Sequence, residues 1–163
     1  MTLGRNSMFL GTDQSDNTVV GNFTSIAGGT YIHNPDNHAC VDNRDLVSCF
    51  DFGNFGADFT VSGKTRGAVT IGNDVWIGEY VQIMNGVKIH DGAIIGAHAV
   101  VAKDIPPYAV AVGNPIEIKK FRFSPEIIHE LLKIKWWDWE NELIRKRLAD
   151  FKDINTFVEK YKV

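Results

Sequence analysis

The stretch 69-VTIGNDVWIGEYVQIMNGVKIHDGAIIGAHAVV-101 repeats every six residues. Ile71, Ile77, Ile83, Ile89, Ile95 and Val101 follow one another six apart without a slip. Two positions before each stands a smaller residue: Val69, Val75, Val81, Val87, Ala93 and Ala99. A period of six fits neither an α-helix nor a heptad, whereas residues two apart share one side of a strand. The remaining positions, often Gly, Asn or Asp, suit the positive φ of a tight corner. One hexad therefore makes a short strand and a corner. Three close a triangular coil of eighteen residues, with the Ile column inside and parallel pairing between coils.

A shorter register lies upstream, with Thr18, Thr24 and Thr30 two residues before Val20, Ile26 and Ile32. Together the two registers give nine hexads, hence three coils, a stack only about 14 Å tall at the spacing of paired strands. So thin a prism leaves much lateral surface and two open ends. Self-association around a threefold axis is a natural remedy. A repeat of this kind specifies a parallel β-helix and, by itself, no activity.

The period fails between Ile32 and Val69. The interrupting segment, about residues 33–68, is rich in Asn, Asp, Gly and Phe, and long irregular insertions in compact repeats commonly carry function. Its Phe50, Phe52, Phe55 and Phe59 either anchor the segment or wall a pocket. After Val101 a Pro- and Gly-punctuated exit leads to Ser124-Pro125, an N-cap followed by a first-turn proline. Ile127, Ile128, Leu131, Leu132 and Ile134 then give a helix one apolar face. Trp136, Trp137 and Trp139 are too large and apolar to leave in water. Further helices are expected from Glu142 to about Asp150 and from Asn155. The chain thus divides into a β-helix over 1–116 and a helical tail over 117–163, packed on the coil or a neighbouring subunit.

The 163 residues carry a net charge of −3, divided as −5 over residues 1–116 and +2 over 117–163. Nothing resembles the concentrated basic face of a nucleic-acid binder. No run of about 18 apolar residues is present to span a membrane. The first residues lack the basic-then-apolar pattern of a secretory signal. Cys40 and Cys49 are too few for a disulfide framework. A cytoplasmic location is the expectation.

Three motifs carry a resemblance: TIGNDVWIG (70–78), IGAHAVVAKDIPPYAVAVGNP (95–115) and RFSPEIIHELLKIKWWDW (122–139). They resemble the hexapeptide-repeat acyltransferases, in particular the xenobiotic branch that includes chloramphenicol and streptogramin acetyltransferases. The resemblance implies a left-handed parallel β-helix with an interrupting loop and a C-terminal α-helical tail. It also implies a homotrimer and acetyl-CoA as co-substrate in the cleft between prisms, with no metal. The family's general base is a His in an Asn-His pair on the interrupting loop, a place that Asn37-His38 occupies here. Acetyl-CoA contacts carry over to Glu79, Ala97, Ala102 and Lys103, with Trp76 shielding the thioester arm. Some positions depart from the pattern. Sugar-acetylating relatives often have a small hydroxyl residue at Glu79, Thr at Ala102, Gly at His98 and Arg near Glu117. Lys119, Lys120 or Arg122 then becomes the candidate partner for phosphate.

Acyl transfer to an alcohol needs a base for the hydroxyl proton, and a neutral imidazole suits that task. His38 is that candidate, and Tyr31, His33 and Asn37 are candidates for contact with the acceptor, a small molecule or a glycan. His33 reads equally as a solvated loop residue. His90 takes a corner where Gly recurs, and His98 either shapes a turn or lines the cofactor cleft. Cys40 has no acid-base pattern around it and reads as a small packing residue. The segment HNPDNHAC also resembles the zinc motif of γ-carbonic anhydrases, which share the fold, but no third His precedes it. A non-catalytic trimeric scaffold is the remaining alternative.

Overall fold

A computed structural model describes residues 1–15, 17–33, 47–48 and 66–162. Among the described residues, twelve two-residue strands wind into four coils. The first coil holds β1 (Thr2–Leu3), β2 (Met8–Phe9) and β3 (Thr12–Asp13); the second, β4 (Val19–Val20), β5 (Ser25–Ile26) and β6 (Tyr31–Ile32). The third holds β7 (Thr70–Ile71), β8 (Trp76–Ile77) and β9 (Gln82–Ile83); the fourth, β10 (Lys88–Ile89), β11 (Ile94–Ile95) and β12 (Val100–Val101). They stack in parallel as three faces: β1-β4-β7-β10 first, β2-β5-β8-β11 second, β3-β6-β9-β12 third. β13 (Ala109–Val112) adds a further rung to the second face, and β14 (Glu117–Phe121) closes it antiparallel.

The register bears out the hexad reading. Thr70 pairs with Lys88, Trp76 with Ile94 and Gln82 with Val100, eighteen residues to a coil. Val20 instead pairs with Ile71, 51 residues on, so the insertion adds 33 residues without disturbing the stack. The Ile column and its smaller companions are buried throughout. Each Ile removed from water is worth about 1.5–3 kcal/mol. Thr24 and Thr30 sit within the stack, their hydroxyls donating to the carbonyls of Gly72 (2.8 Å) and Gly78 (3.1 Å).

The first coil corrects the expectation of three. Its strands pair at offsets of 17, 17 and 19 residues, so no fixed period exposes it. Its inward positions are Leu3, Phe9 and Asp13, paired with Val20, Ile26 and Ile32. The carboxylate of Asp13 in this coil accepts hydrogen bonds from Ser15 and Thr18.

The tail comprises α1 (Pro125–Ile134), α2 (Asn141–Arg147) and α3 (Ile154–Tyr161), with 3₁₀ turns at Trp136–Asp138 and Leu148–Lys152. Ser124 caps α1 through the Ile127 amide, and Lys135 ends it in the left-handed conformation. Trp137 is buried with Leu131, Ile134, Phe157 and Tyr108 in a second apolar cluster. Arg5 fastens the first coil to this tail, donating to the carbonyls of Trp137 (2.9 Å) and Trp139 (2.7 Å). Among the described residues, no helix is long and apolar enough to cross a membrane.

Candidate active site

The third face and the edges beside it hold most of the residues singled out by sequence. Tyr31 lies on β6, paired with Gln82 on β9, which pairs in turn with Val100 on β12. Because Ile32, Ile83 and Val101 point inward, these neighbours alternate outward. His33 follows β6, its amide donating to the Ile83 carbonyl (2.9 Å). Its ring meets the Tyr31 ring edge-on, with centroids 4.8 Å apart. His33 Nε2 lies 2.9 Å from Gln82 Oε1. Gln82 was not a sequence candidate. Its outward, polar position in the hexad was the only signal, and its partner is 49 residues away.

Glu79 and Ala97 occupy the edge between the second and third faces. Both are exposed, and the Glu79 carbonyl accepts from the His98 amide (2.9 Å). The wall there is kept flat: a Cβ on Gly78 would stand 2.7 Å from the Ala97 nitrogen. Tyr80 and His98 stack along this edge with centroids 5.2 Å apart and planes at 17°. Both adopt left-handed φ (56° and 60°), unusual for bulky side chains and legible in no motif. Trp76 projects from β8 on the second face, 49% exposed.

Ala102 and Lys103 form the exposed corner that follows β12. Lys119 and Lys120 are exposed on β14, and Lys119 is ion-paired with Glu117. That hydrogen bond and charge hold the Glu117 carboxyl below its usual range, with Lys103 adding a smaller pull. Lys103, Glu117 and Lys119 therefore share one electrostatic neighbourhood. Asn37, His38 and Cys40 lie outside the described residues, as do Cys49, Phe50, Phe52, Phe55 and Phe59.

Arg122 sits elsewhere, at the edge between the first and second faces. Its guanidinium donates to Asp74 (3.0 Å) and the Gly92 carbonyl (2.7 Å), and lies over the rings of Tyr108 and Phe123. Burial raises the Asp74 pKa above the usual carboxylate value, although Arg122 pulls it down. A cavity of about 430 Å³ opens beside this pair, walled by Phe123, Trp136, Phe151 and Phe157.

The family model for the bacterial transferase hexapeptide (six repeats) matches residues 68–103. A probable macrolide acetyltransferase of Lysinibacillus sphaericus is 42% identical, the match covering 79% of this chain and 73% of that one. A chloramphenicol acetyltransferase of Escherichia coli is 38% identical over 83% of this chain and 66% of its own. Among solved structures, a maltose O-acetyltransferase from Clostridium difficile 630 superposes with a TM-score of 0.54 at 29% identity, over 75% of this chain and 59% of that one. A galactoside acetyltransferase in complex with coenzyme A gives 0.55 at 28%, over 76% and 60%. The chain thus spans about three fifths of these two solved chains.

Proposed function

The chain belongs to the hexapeptide-repeat acetyltransferases, and on that premise we propose that it is an acetyl-CoA-dependent O-acetyltransferase. The acceptor is a hydroxyl of a sugar, a polysaccharide or a xenobiotic such as an antibiotic. The working form is a cytoplasmic homotrimer with the site between prisms. The observation that carries this reading is the exposed edge at Glu79, Tyr80, Ala97 and His98. It runs beside a face that bears Tyr31 and His33, on a chain 42% identical to a probable macrolide acetyltransferase.

The residues suit acetyl-CoA. A pantetheine arm needs a flat groove, and Gly78, Gly96 and Ala97 leave one. Trp76 supplies an apolar cover for the thioester end. Lys103 and Lys120 are exposed cations for phosphate, with Lys119 available once it leaves Glu117. His38 is the proposed general base. It takes the acceptor's hydroxyl proton as the oxygen attacks the thioester carbonyl, the C–S bond breaks, and the proton passes to the departing thiolate. Tyr31, His33 and Asn37 hold the acceptor.

The test is thiol release from acetyl-CoA across sugar nucleotides, glycans, chloramphenicol and streptogramin A, with sedimentation to count subunits. Release with at least one alcohol is expected. His38→Ala should lower that turnover about 10²–10⁴-fold, the usual worth of a placed general base. Full turnover in His38→Ala would remove the base assignment. Stoichiometric zinc with CO₂ hydration and no CoA binding would replace the whole reading with a lyase, and no binding of either kind would leave a scaffold.

A further inference from the structure

His33 is pinned on three sides. Its amide is held by the Ile83 carbonyl, its ring packs against the edge of Tyr31, and Nε2 lies 2.9 Å from Gln82 Oε1. An amide oxygen accepts only, so with Oε1 turned to the ring it is Nε2 that carries the proton. A neutral imidazole has a single N–H, and placing it on Nε2 makes Nδ1 the acceptor. Among the described residues Nδ1 has no partner. Gln82 is itself fixed on β9 by ladder pairing with both Tyr31 and Val100. Being uncharged, it sets the tautomer without adding charge to the face.

We infer that Gln82 is a positioning residue, holding His33 as the Nε2–H tautomer so that Nδ1 receives a hydrogen bond from an acceptor hydroxyl. The second half rests on the proposed acetyl transfer; the first stands on geometry alone. An apolar side chain at position 82 removes the fixed acceptor and frees the ring to exchange tautomers. Glu at 82 restores an oxygen at the same reach. The acceptor loses one oriented hydrogen bond, while the acetyl-CoA edge at Glu79 and Ala97 is untouched.

The experiment has two arms on the full chain. In the first, ¹⁵N correlation spectra of the imidazoles are recorded at alkaline pH, where an imidazole is neutral, with His33→Gln assigning the signals. The wild type should show a protonated Nε2 and a bare Nδ1 at His33, Gln82→Met a mixture, and Gln82→Glu the wild-type pattern. A protonated Nδ1 in the wild type, or identical spectra for Gln82→Met, would overturn the assignment whether or not the protein transfers acetyl groups. In the second arm, steady-state kinetics use whichever alcohol supports thiol release. Gln82→Met should raise KM for that alcohol about five- to tenfold, about the worth of one hydrogen bond, with KM for acetyl-CoA unchanged and rescue by Gln82→Glu at alkaline pH, where the imidazole is neutral. An unchanged alcohol KM beside an altered tautomer would remove the acceptor contact while leaving acetyl transfer intact.

Discussion

Two edges of the prism share a backbone and differ in what covers them. Between the first and second faces, Phe23, Asp74 and Tyr108 adopt left-handed φ of 53–56°. Between the second and third, Tyr80 and His98 do the same at 56° and 60°. At the first edge the tail comes down: Phe23 meets Trp136 at 5.0 Å, Tyr108 is 1% exposed, and Arg5 and Arg122 tie coil to helices. At the second edge Tyr80 is 55% exposed, and among the described residues its ring rests over Gly29 and stacks on His98. A left-handed residue costs roughly 1–2 kcal/mol. At the covered edge burial offsets that cost, whereas one aromatic pair returns only about 0.5–1.5 kcal/mol. One edge fastens the molecule, and the other, among the described residues, stays exposed.

The sharpest way to break this contrast is one substitution made twice. Gly29 and Gly92 both have positive φ (69° and 70°), and each supports an aromatic ring that an added Cβ would strike, Tyr80 and Tyr108 respectively. The Tyr80 ring can swing into solvent, but the Tyr108 ring is enclosed. Gly92→Ala should cost about 3 kcal/mol, combining backbone strain and overpacking. Gly29→Ala should cost only about 1–2 kcal/mol. Equal losses in urea unfolding would mean that the two edges are equally fastened.

Arg122→Met comes next, at about 2 kcal/mol near neutral pH, because it strands the Asp74 carboxylate in a mostly buried place. The pH dependence has a definite sign. Burial raises the folded pKa of Asp74 above its unfolded value of 3.8. The folded state then holds the proton longer, so stability falls as pH rises between the two values and is flat above them. Without Arg122 the folded value rises further, and the interval widens. The deficit of Arg122→Met should therefore shrink as unfolding is measured at progressively lower pH. A constant deficit would show that the arginine acts by packing alone.

The contrast also marks how far the sequence could be read. The stacked-coil rule was legible from Val69 to Val101 because like neighbours eighteen residues apart repeat one local pattern. The first coil was hidden, since its offsets vary and Asp13 stands where the column otherwise has Ile or Val. The tail's first helix was readable from Ser124-Pro125 and its apolar spacing. Which edge that helix covers depends on contacts such as Arg122 with Asp74, 48 residues apart, and Arg5 with Trp137, 132 apart. No local pattern encodes those. For the site, motifs pointed to the flat wall at Ala97 and to Lys103, while the Gln82–His33 bond exists only once two coils are stacked.

At the exposed edge the expected losses move from stability to binding. Tyr80→Ala removes an exposed stack and should change unfolding free energy by less than about 1 kcal/mol. It should nevertheless raise KM for acetyl-CoA about threefold or more if, as proposed, this edge holds the pantetheine arm. A change of similar size in the alcohol KM alone would place the cofactor on another edge.

The smallest effect belongs to Glu117, whose carboxylate engages Lys119 close to Lys103. It is fully exposed, so its pairing contributes little to stability. On the proposed reading its consequence is for an anionic ligand, since the carboxylate opposes phosphates and occupies Lys119, a proposed partner for them. Glu117→Gln removes the charge, keeps the side-chain length and frees Lys119. KM for acetyl-CoA should fall about two- to threefold at low salt, within the modest range of exposed ion pairs. The gain should fade as salt approaches 1 M, where the screening length is about 3 Å. A salt-independent change would point to a direct contact of the residue rather than to its field. A rise in KM would mean that the carboxylate orders Lys119 for the phosphate instead of withholding it.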